Sequence, residues 1–296
     1  MMYAQIVLFD GFDPLDVVAP LEVLVAGTTL ANSTAPNSTA PNNTATGSGP
    51  AAGGPTDDSP AGKSPAGNGL TDDVPKGNNP TAAGLTDGGP KGNNPTAGCL
   101  TDGGPKGNNP TDDLTDGRPD GNSPVGGNWE VRLVSAEGPR RVVSGTLGLA
   151  LDATAALDPD LPGYVLVPGA SGPLDEIPAL LAQAARSELA PLAAKAMANP
   201  EITMTTVCGG SLALAMAGLL AGRTAVTHVG GLDALRATGV TVVDARIVND
   251  GDLITGAGVT SGLDLALHLL ERSFGPRIAH EVEQLIQHER RGIVWR

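Results

Sequence analysis

The sequence predicts an α/β fold: a mainly parallel sheet with helices on both faces, interrupted by a long low-complexity insert. Three observations carry that expectation. Strand-like and helix-like segments alternate on either side of residues 31–127, the pattern of parallel strands joined by crossover helices. Residues 31–127 are themselves dominated by Gly, Pro, Asn, Thr and Asp, with almost no large apolar residue, too little to build a core. Setting them aside from 296 residues leaves about 200, ample for one hydrophobic core, so residues 1–296 read as a single domain carrying an insert.

Taken in order, residues 4–9 are short and apolar, as a buried first strand must be, and 20–26 read as a helix with Pro20 in its first turn. The insert follows, between the first helix and the second strand. Within it a unit recurs about every 15 residues, opening at Leu70, Leu85 and Leu100 and in degraded form at Leu114. One Leu per unit among many turn formers offers too little apolar surface to offset the entropy of ordering, so a loosely turned excursion is expected, with a binding or spacer arm as the functional alternative. Three Asn-x-Thr/Ser matches begin at Asn32, Asn37 and Asn42; without a secretion signal they read as accidents of composition.

After the insert, 129–134 alternate as a strand, 142–153 hold the turn residues of a small antiparallel excursion, and 164–167 form a buried strand ending at Pro168-Gly169. A helix is expected over 174–197, then a strand over 202–207 and a helix over 212–220 closed near Gly222. Short strands follow at 225–227, 240–243, 247–248 and 253–255, the last two joined by the hairpin signal Asn249-Asp250-Gly251-Asp252. Helices over 261–274 and 276–290 complete the pattern.

Charge and composition narrow the function. The formal net charge of -14 leaves no basic stripe to neutralise phosphates, so no nucleic-acid partner is expected. No apolar run is read as approaching the ~20 residues of a membrane span, and the first residues lack a basic region followed by a cleavage site, so a cytoplasmic protein without a membrane partner is expected. The two cysteines, Cys99 in the insert and Cys208, form neither a disulfide framework nor a cysteine-based metal site.

Cys208 stands where the apolar run 202–207 meets Gly209-Gly210-Ser211 and a helix. A side chain at such a corner projects from the carboxyl edge of the sheet, where the free amides of the next helix favour a thiolate, and the glycines leave room for a tight turn or a substrate. The alternative is a buried cysteine acting as a small hydrophobe. In a parallel sheet ligands bind beyond the carboxyl ends of the strands, and two further ends carry suggestive residues. The first strand runs into Asp10-Gly11-Phe12-Asp13-Pro14-Leu15-Asp16, where Asp16 can partner the thiol, orienting it or moving a proton, unless Asp16 or Asp13 simply caps the next helix. The 164–167 strand runs into Gly169 and Ala170, whose amides can face a developing negative charge. His228 follows the 225–227 strand and is placed to act as acid, base or hydrogen-bond partner, or to serve structure alone. His268, His280 and His288 fall on helices without metal-ligand spacing. The insert joins a helix to a strand, so its roots are expected at the opposite edge from these residues.

With these residues placed, the chain resembles the ThiJ/PfpI superfamily, whose flavodoxin-like domains carry a cysteine on a strand-to-helix elbow. The matching stretches are residues 15–24, 167–170, 206–211, 219–223, 227–228 and 250–264. Within the superfamily, Leu15-Asp16 with Pro20 and the run from Gly256 to Asp264 are most similar to the isonitrile hydratase group. That resemblance implies attack by Cys208 on a small electrophile, the isonitrile carbon, to give a covalent thioimidate. Asp16 is implied as the acidic partner and water as the second reactant, with an N-substituted formamide released. Gly169, Ala170 and Gly209 are implied as amide donors, no metal or organic cofactor is needed, and a homodimer is expected. Two positions depart from the group: Gly209 stands where a hydroxyl residue is usual, and Ala170 where a second glycine is common. Histidine does not follow Cys208, so peptidase activity is not expected. Related transcription regulators append a helix-turn-helix domain, and none is read before Arg296. Open alternatives are an oxidative-stress sensor or chaperone-like protein, and a glyoxalase or deglycase acting on small aldehydes.

Overall fold

Strand β1 (Met2–Val7) lies between two parallel neighbours in the computed structural model, which describes residues 1–34 and 129–296. It is followed by α1 (Pro14–Thr34), β2 (Trp129–Ser135), the antiparallel pair β3 (Arg140–Val143) and β4 (Ala150–Ala153), and β5 (Ala155–Ala156). Then come β6 (Gly163–Val167), α2 (Ile177–Ala184), α3 (Leu189–Ala198), β7 (Ile202–Val207) and α4 (Gly210–Met216). The remaining elements are β8 (Thr224–Ala225), α5 (Leu232–Ala237), β9 (Thr241–Val242), β10 (Ile247–Asp250), β11 (Leu253–Gly256), α6 (Ser261–Phe274), α7 (Pro276–Ile286) and β12 (Val294–Trp295).

Among the described residues, eight strands form one sheet in the order β12-β10-β11-β7-β6-β1-β2-β5, parallel except where β10 pairs with β11 in a hairpin. The expected α/β architecture is therefore present. Continuous burial along Ala4–Val7 and Gly163–Val167 marks strands covered on both faces. One group of helices, α1, α6 and α7, packs together, and α2, α4 and α5 form another. The chain steps from β1 to β2 on one side and has β6 on the other, so the strand order reverses between β1 and β6. A crevice opens at such a reversal, beyond the carboxyl ends of the strands.

Several expectations are corrected. The first helix begins at Pro14 rather than residue 20, and Pro20 lies inside it; lacking an N–H, Pro20 leaves the Asp16 carbonyl without a helical donor, and the turn is held by packing instead. The 20 residues Pro14–Ser33, with mean hydropathy 1.4, are long and apolar enough to cross a membrane by length and composition, contrary to the sequence expectation. Small residues dilute that signal in the sequence, and in the fold the buried Val17, Val23 and Leu24 belong to the core. The helix expected over 174–197 is two, because the Ser187 hydroxyl donates to Ala184 O at 2.8 Å and accepts from Leu189 N at 3.2 Å, closing one helix and opening the next. Strands β8 and β9 pair with each other outside the main sheet, and α5 and β12 carried no sequence expectation. The first four residues of the expected insert are the last turn of α1; the repeat units and Cys99 lie outside the described residues.

Candidate functional site

The turn between β7 and α4 places Cys208 in the left-handed region, with φ 54°, a conformation that costs a non-glycine residue about 1–3 kcal/mol and persists only where surroundings enforce it. Several bonds enforce it here. Cys208 N donates to Gly256 O at 3.0 Å, and the buried Thr227 hydroxyl donates to Cys208 O at 2.7 Å. The Ser211 hydroxyl donates to Val226 O at 2.6 Å, which leaves the Thr206 hydroxyl as donor to Ser211 Oγ, also at 2.6 Å. Gly210 is obligatory, since a Cβ there would stand 2.1 Å from Val167 O.

Asp16 arrives from the opposite side of the crevice. The loop after β1 is clipped to the loop after β6 by Asp13 N to Gly169 O at 2.9 Å and Ser171 N to Gly11 O at 3.0 Å. The helix-capping role considered for either aspartate falls to Asp13, whose Oδ1 accepts from Leu15 N at 2.9 Å. Asp16 is left for other work. Its side chain is fully buried; Oδ2 accepts from Gly169 N at 2.9 Å, whereas Oδ1 has no hydrogen-bond partner. Gly169 can hold this bond because it has no Cβ, which would lie 2.9 Å from Asp16 Oδ2 and 3.1 Å from Cys208 Cβ. Acid and thiol thus meet around Gly169.

Electrostatics couple the two groups. Burial, reinforced by the charge of Asp13, pushes the Asp16 carboxyl up to about 8, against smaller opposing contributions from the Gly169 amide and the Cys208 thiol. Burial and the Asp16 charge push the Cys208 thiol up as well, opposed by the Gly209 amide. The helix-amide argument for a ready thiolate is therefore corrected: one amide favours it, and desolvation beside two carboxyls outweighs that amide. The Asp16 charge acts directly on the thiol, while Asp16 Oδ1 holds no hydrogen bond. A thiol next to a buried base is the arrangement for nucleophilic attack in which the acid takes the proton.

The other expected site residues divide. Gly209 follows the sulfur directly and acts on it through its amide. The Gly169 amide is spent on Asp16, so it is not a spare donor for an oxyanion, a correction to the sequence reading. Ala170 forms an isolated bridge with Phe12, and its own amide has no backbone acceptor. His228 is exposed, and its Nδ1 accepts from Gly230 N at 3.2 Å; no contact brings it to Cys208 or Asp16, and its neighbour Thr227 makes the link instead. Ser211 and Thr227 fall within the stretches that carry the resemblance, but the sequence assigns them no role, because a hydroxyl side chain carries no pattern that distinguishes an anchor of the elbow from an ordinary core residue. Among the described residues no cluster of His, Cys, Asp and Glu could hold a metal. His268 is held neutral by burial, which lowers it to about 4. A cleft of about 450 Å³ lies beside the site, lined in part by Asp10, Gly11, Ser171, Glu176, Leu180 and Gln183, and stops short of Cys208.

An isonitrile hydratase from Pseudomonas putida is 42% identical over 85 residues, 29% of this chain and 37% of that protein. The transcriptional regulator CdhR of Pseudomonas aeruginosa is 31% identical over 159 residues, 53% of this chain and 44% of the regulator. Each match spans less than half of the relative's length. Among solved structures, Drosophila melanogaster DJ-1beta superposes with TM-score 0.56 at 12% identity, covering 97% of this chain and 98% of the other. A DJ-1 superfamily protein from Salmonella typhimurium gives TM-score 0.56 at 16% identity, covering 98% and 100%; at such identities the likeness is one of fold. The sequence pattern of the DJ-1/PfpI family matches residues 122–272, a span that takes in β6 with Gly169, the Cys208 elbow and most of α6. With a strained cysteine elbow at the carboxyl edge of a flavodoxin-like sheet and that match over half its length, the chain belongs to the DJ-1/PfpI family.

Proposed function

We propose that the chain is a cofactor-independent enzyme in which Cys208 attacks a small electrophile, and that the reaction is hydration of an isonitrile to an N-substituted formamide. The observation that carries this reading is the fully buried Asp16 carboxyl, held by Gly169 beside the thiol with one oxygen unpartnered. The 42% identity to an isonitrile hydratase over 85 residues supports the choice of substrate. In the reactive form Asp16 is a carboxylate. It accepts the thiol proton as sulfur bonds to the isonitrile carbon, then delivers that proton to the same carbon, leaving a thioimidate in which S–H has added across one atom. Water then adds, its oxygen to carbon and one hydrogen to nitrogen. The C–S bond breaks as the carbonyl forms, and the hydroxyl proton returns to sulfur, directly or through Asp16. One isonitrile and one water give one formamide, and the thiol is restored.

The oxidation-sensor reading lacks comparable support. Sensor cysteines are accessible and readily ionised, whereas Cys208 is 7% exposed and its thiol is pushed up by burial and the charge of Asp16. The test is turnover. Full-length protein incubated with an alkyl isonitrile is expected to release the formamide, and Cys208→Ala to release none. Wild type and variant equally inactive on isonitriles and on small aldehydes such as methylglyoxal would remove the enzyme reading.

A further inference from the structure

Helix α2 touches both the loop after β1 and the cysteine elbow. The side-chain tip of Leu180 sits against Gly11, where a Cβ would stand 2.8 Å from Cδ2. The tip of Leu181, itself 2% exposed, sits against Gly209, where a Cβ would stand 3.0 Å from Cδ1 and 3.1 Å from Cδ2. The same point is 3.5 Å from Gly169 Cα, and Gly169 is the residue around which Asp16 and Cys208 meet. Leu181 therefore fills the space that a side chain at position 209 would occupy, next to the sulfur-bearing residue. The adjacent cleft, which includes Leu180, does not extend to Cys208.

Charge adds a second constraint. The charges acting on Asp16 and Cys208 come from each other and from Asp13, all acidic. Asp10 and Glu176 line the approach, and among the described residues Asp10 is paired, with Arg140. Among the described residues no cation acts on the thiol to receive an anionic substrate, and an anion entering would be desolvated among carboxyls.

We infer that Leu181, paired with Gly209, is the specificity gate of this site, restricting Cys208 to neutral electrophiles with a slim reacting end. The inference rests on Cys208 being the nucleophile, and it deepens the proposed function by naming the substrate class. An isonitrile, uncharged and linear at its reacting carbon, meets both conditions. A carboxylate-bearing or broad electrophile meets neither. Gly209 and Leu181 form a matched pair: a β-branched residue at 209 displaces the Leu181 tip, so changes at the two positions are coupled rather than additive.

The test reads access to the thiol without requiring turnover. In a Cys99→Ser background Cys208 is the one remaining thiol, and its alkylation rate is measured with iodoacetamide, iodoacetate and N-phenylmaleimide, using glutathione as the free-thiol reference. The protein is expected to prefer iodoacetamide over iodoacetate by about tenfold more than glutathione does, and Leu181→Ala to accelerate N-phenylmaleimide about tenfold while moving iodoacetamide less than about threefold. Gly209→Thr is expected to slow all three reagents, and Leu181→Ala added to it to recover the rate. Leu181→Val, a smaller change for use if the alanine variant fails to fold, is expected to show the same selective gain at reduced size. The inference is overturned if truncating Leu181 accelerates all reagents alike, if iodoacetate and iodoacetamide stand in the glutathione ratio, or if the Gly209→Thr and Leu181→Ala effects simply add. If the gate behaves as expected and no formamide forms from any isonitrile, the proposed reaction fails while the gate stands.

Discussion

Replacing Asp16 with Asn isolates the energetic cost of the buried acid. The carboxyl rises from an ordinary 3.8 to about 8 in the fold, chiefly through burial. The folded state therefore holds this proton more tightly than the unfolded chain does, and the sign follows. Stability associated with Asp16 is fully present below its unfolded pKa, declines as pH rises between the two values, and levels off above about 8. At ~1.4 kcal/mol per unit the ceiling on that loss is roughly 6 kcal/mol, and local relaxation lowers it. An amide of the same shape never ionises, so its oxygen keeps the Gly169 N–H and the charge penalty disappears. Urea unfolding of wild type and Asp16→Asn is expected to show the variant more stable by roughly 2–5 kcal/mol at about pH 9 and within about 1 kcal/mol at about pH 4. Other titrating groups are shared and largely cancel in the difference. A difference that does not change with pH, or a variant that is less stable under alkaline conditions, refutes the account of Asp16 as a buried acid kept protonated by desolvation.

Since Asp16 must accept the thiol proton, turnover is expected to rise as pH passes through about 8, and Asp16→Asn to lower kcat by about 10²–10⁴-fold and abolish that step; a profile flat from about pH 6 to about pH 9 contradicts it. Gly210→Ala would bring a methyl group to 2.1 Å from Val167 O, so a loss of about 3 kcal/mol or more, or failure to fold, is expected in thermal unfolding. Thr227→Val deletes the 2.7 Å bond to Cys208 O; unfolding is expected to show a cost of about 1–2 kcal/mol, together with slower iodoacetamide modification of Cys208 as the elbow relaxes from its strained φ.

The cysteine elbow was legible because a buried strand, two glycines and a helix leave a side chain few places to go. The position of Asp16 was legible for a topological reason, since loops after parallel strands converge on one edge. The division of labour between Asp13 and Asp16 was not, because both fit a helix start and only the bond from Leu15 N to Asp13 decides between them. The length of α1 was hidden by Pro20, whose local preference for a first turn is overridden by core packing. The break at Ser187 was hidden inside an Ala- and Leu-rich run that looks helical throughout, because one hydroxyl bonding on both sides carries no periodicity. The spent amide of Gly169, the Thr227 anchor and the Leu181 tip against Gly209 are contacts between segments distant in sequence. Such contacts exist only after the sheet has formed, which is why sequence patterns are silent about them.

The central claim, a transient bond between Cys208 and an electrophilic carbon with Asp16 moving the proton, is tested most directly by rapid-quench mass spectrometry of full-length protein mixed with an alkyl isonitrile. The account predicts an adduct equal to the whole mass of the isonitrile, mapped to the peptide containing Cys208, that rises and decays as formamide accumulates and is absent from Cys208→Ala. Formamide release without any such adduct, or an adduct that survives the loss of Cys208, would contradict it.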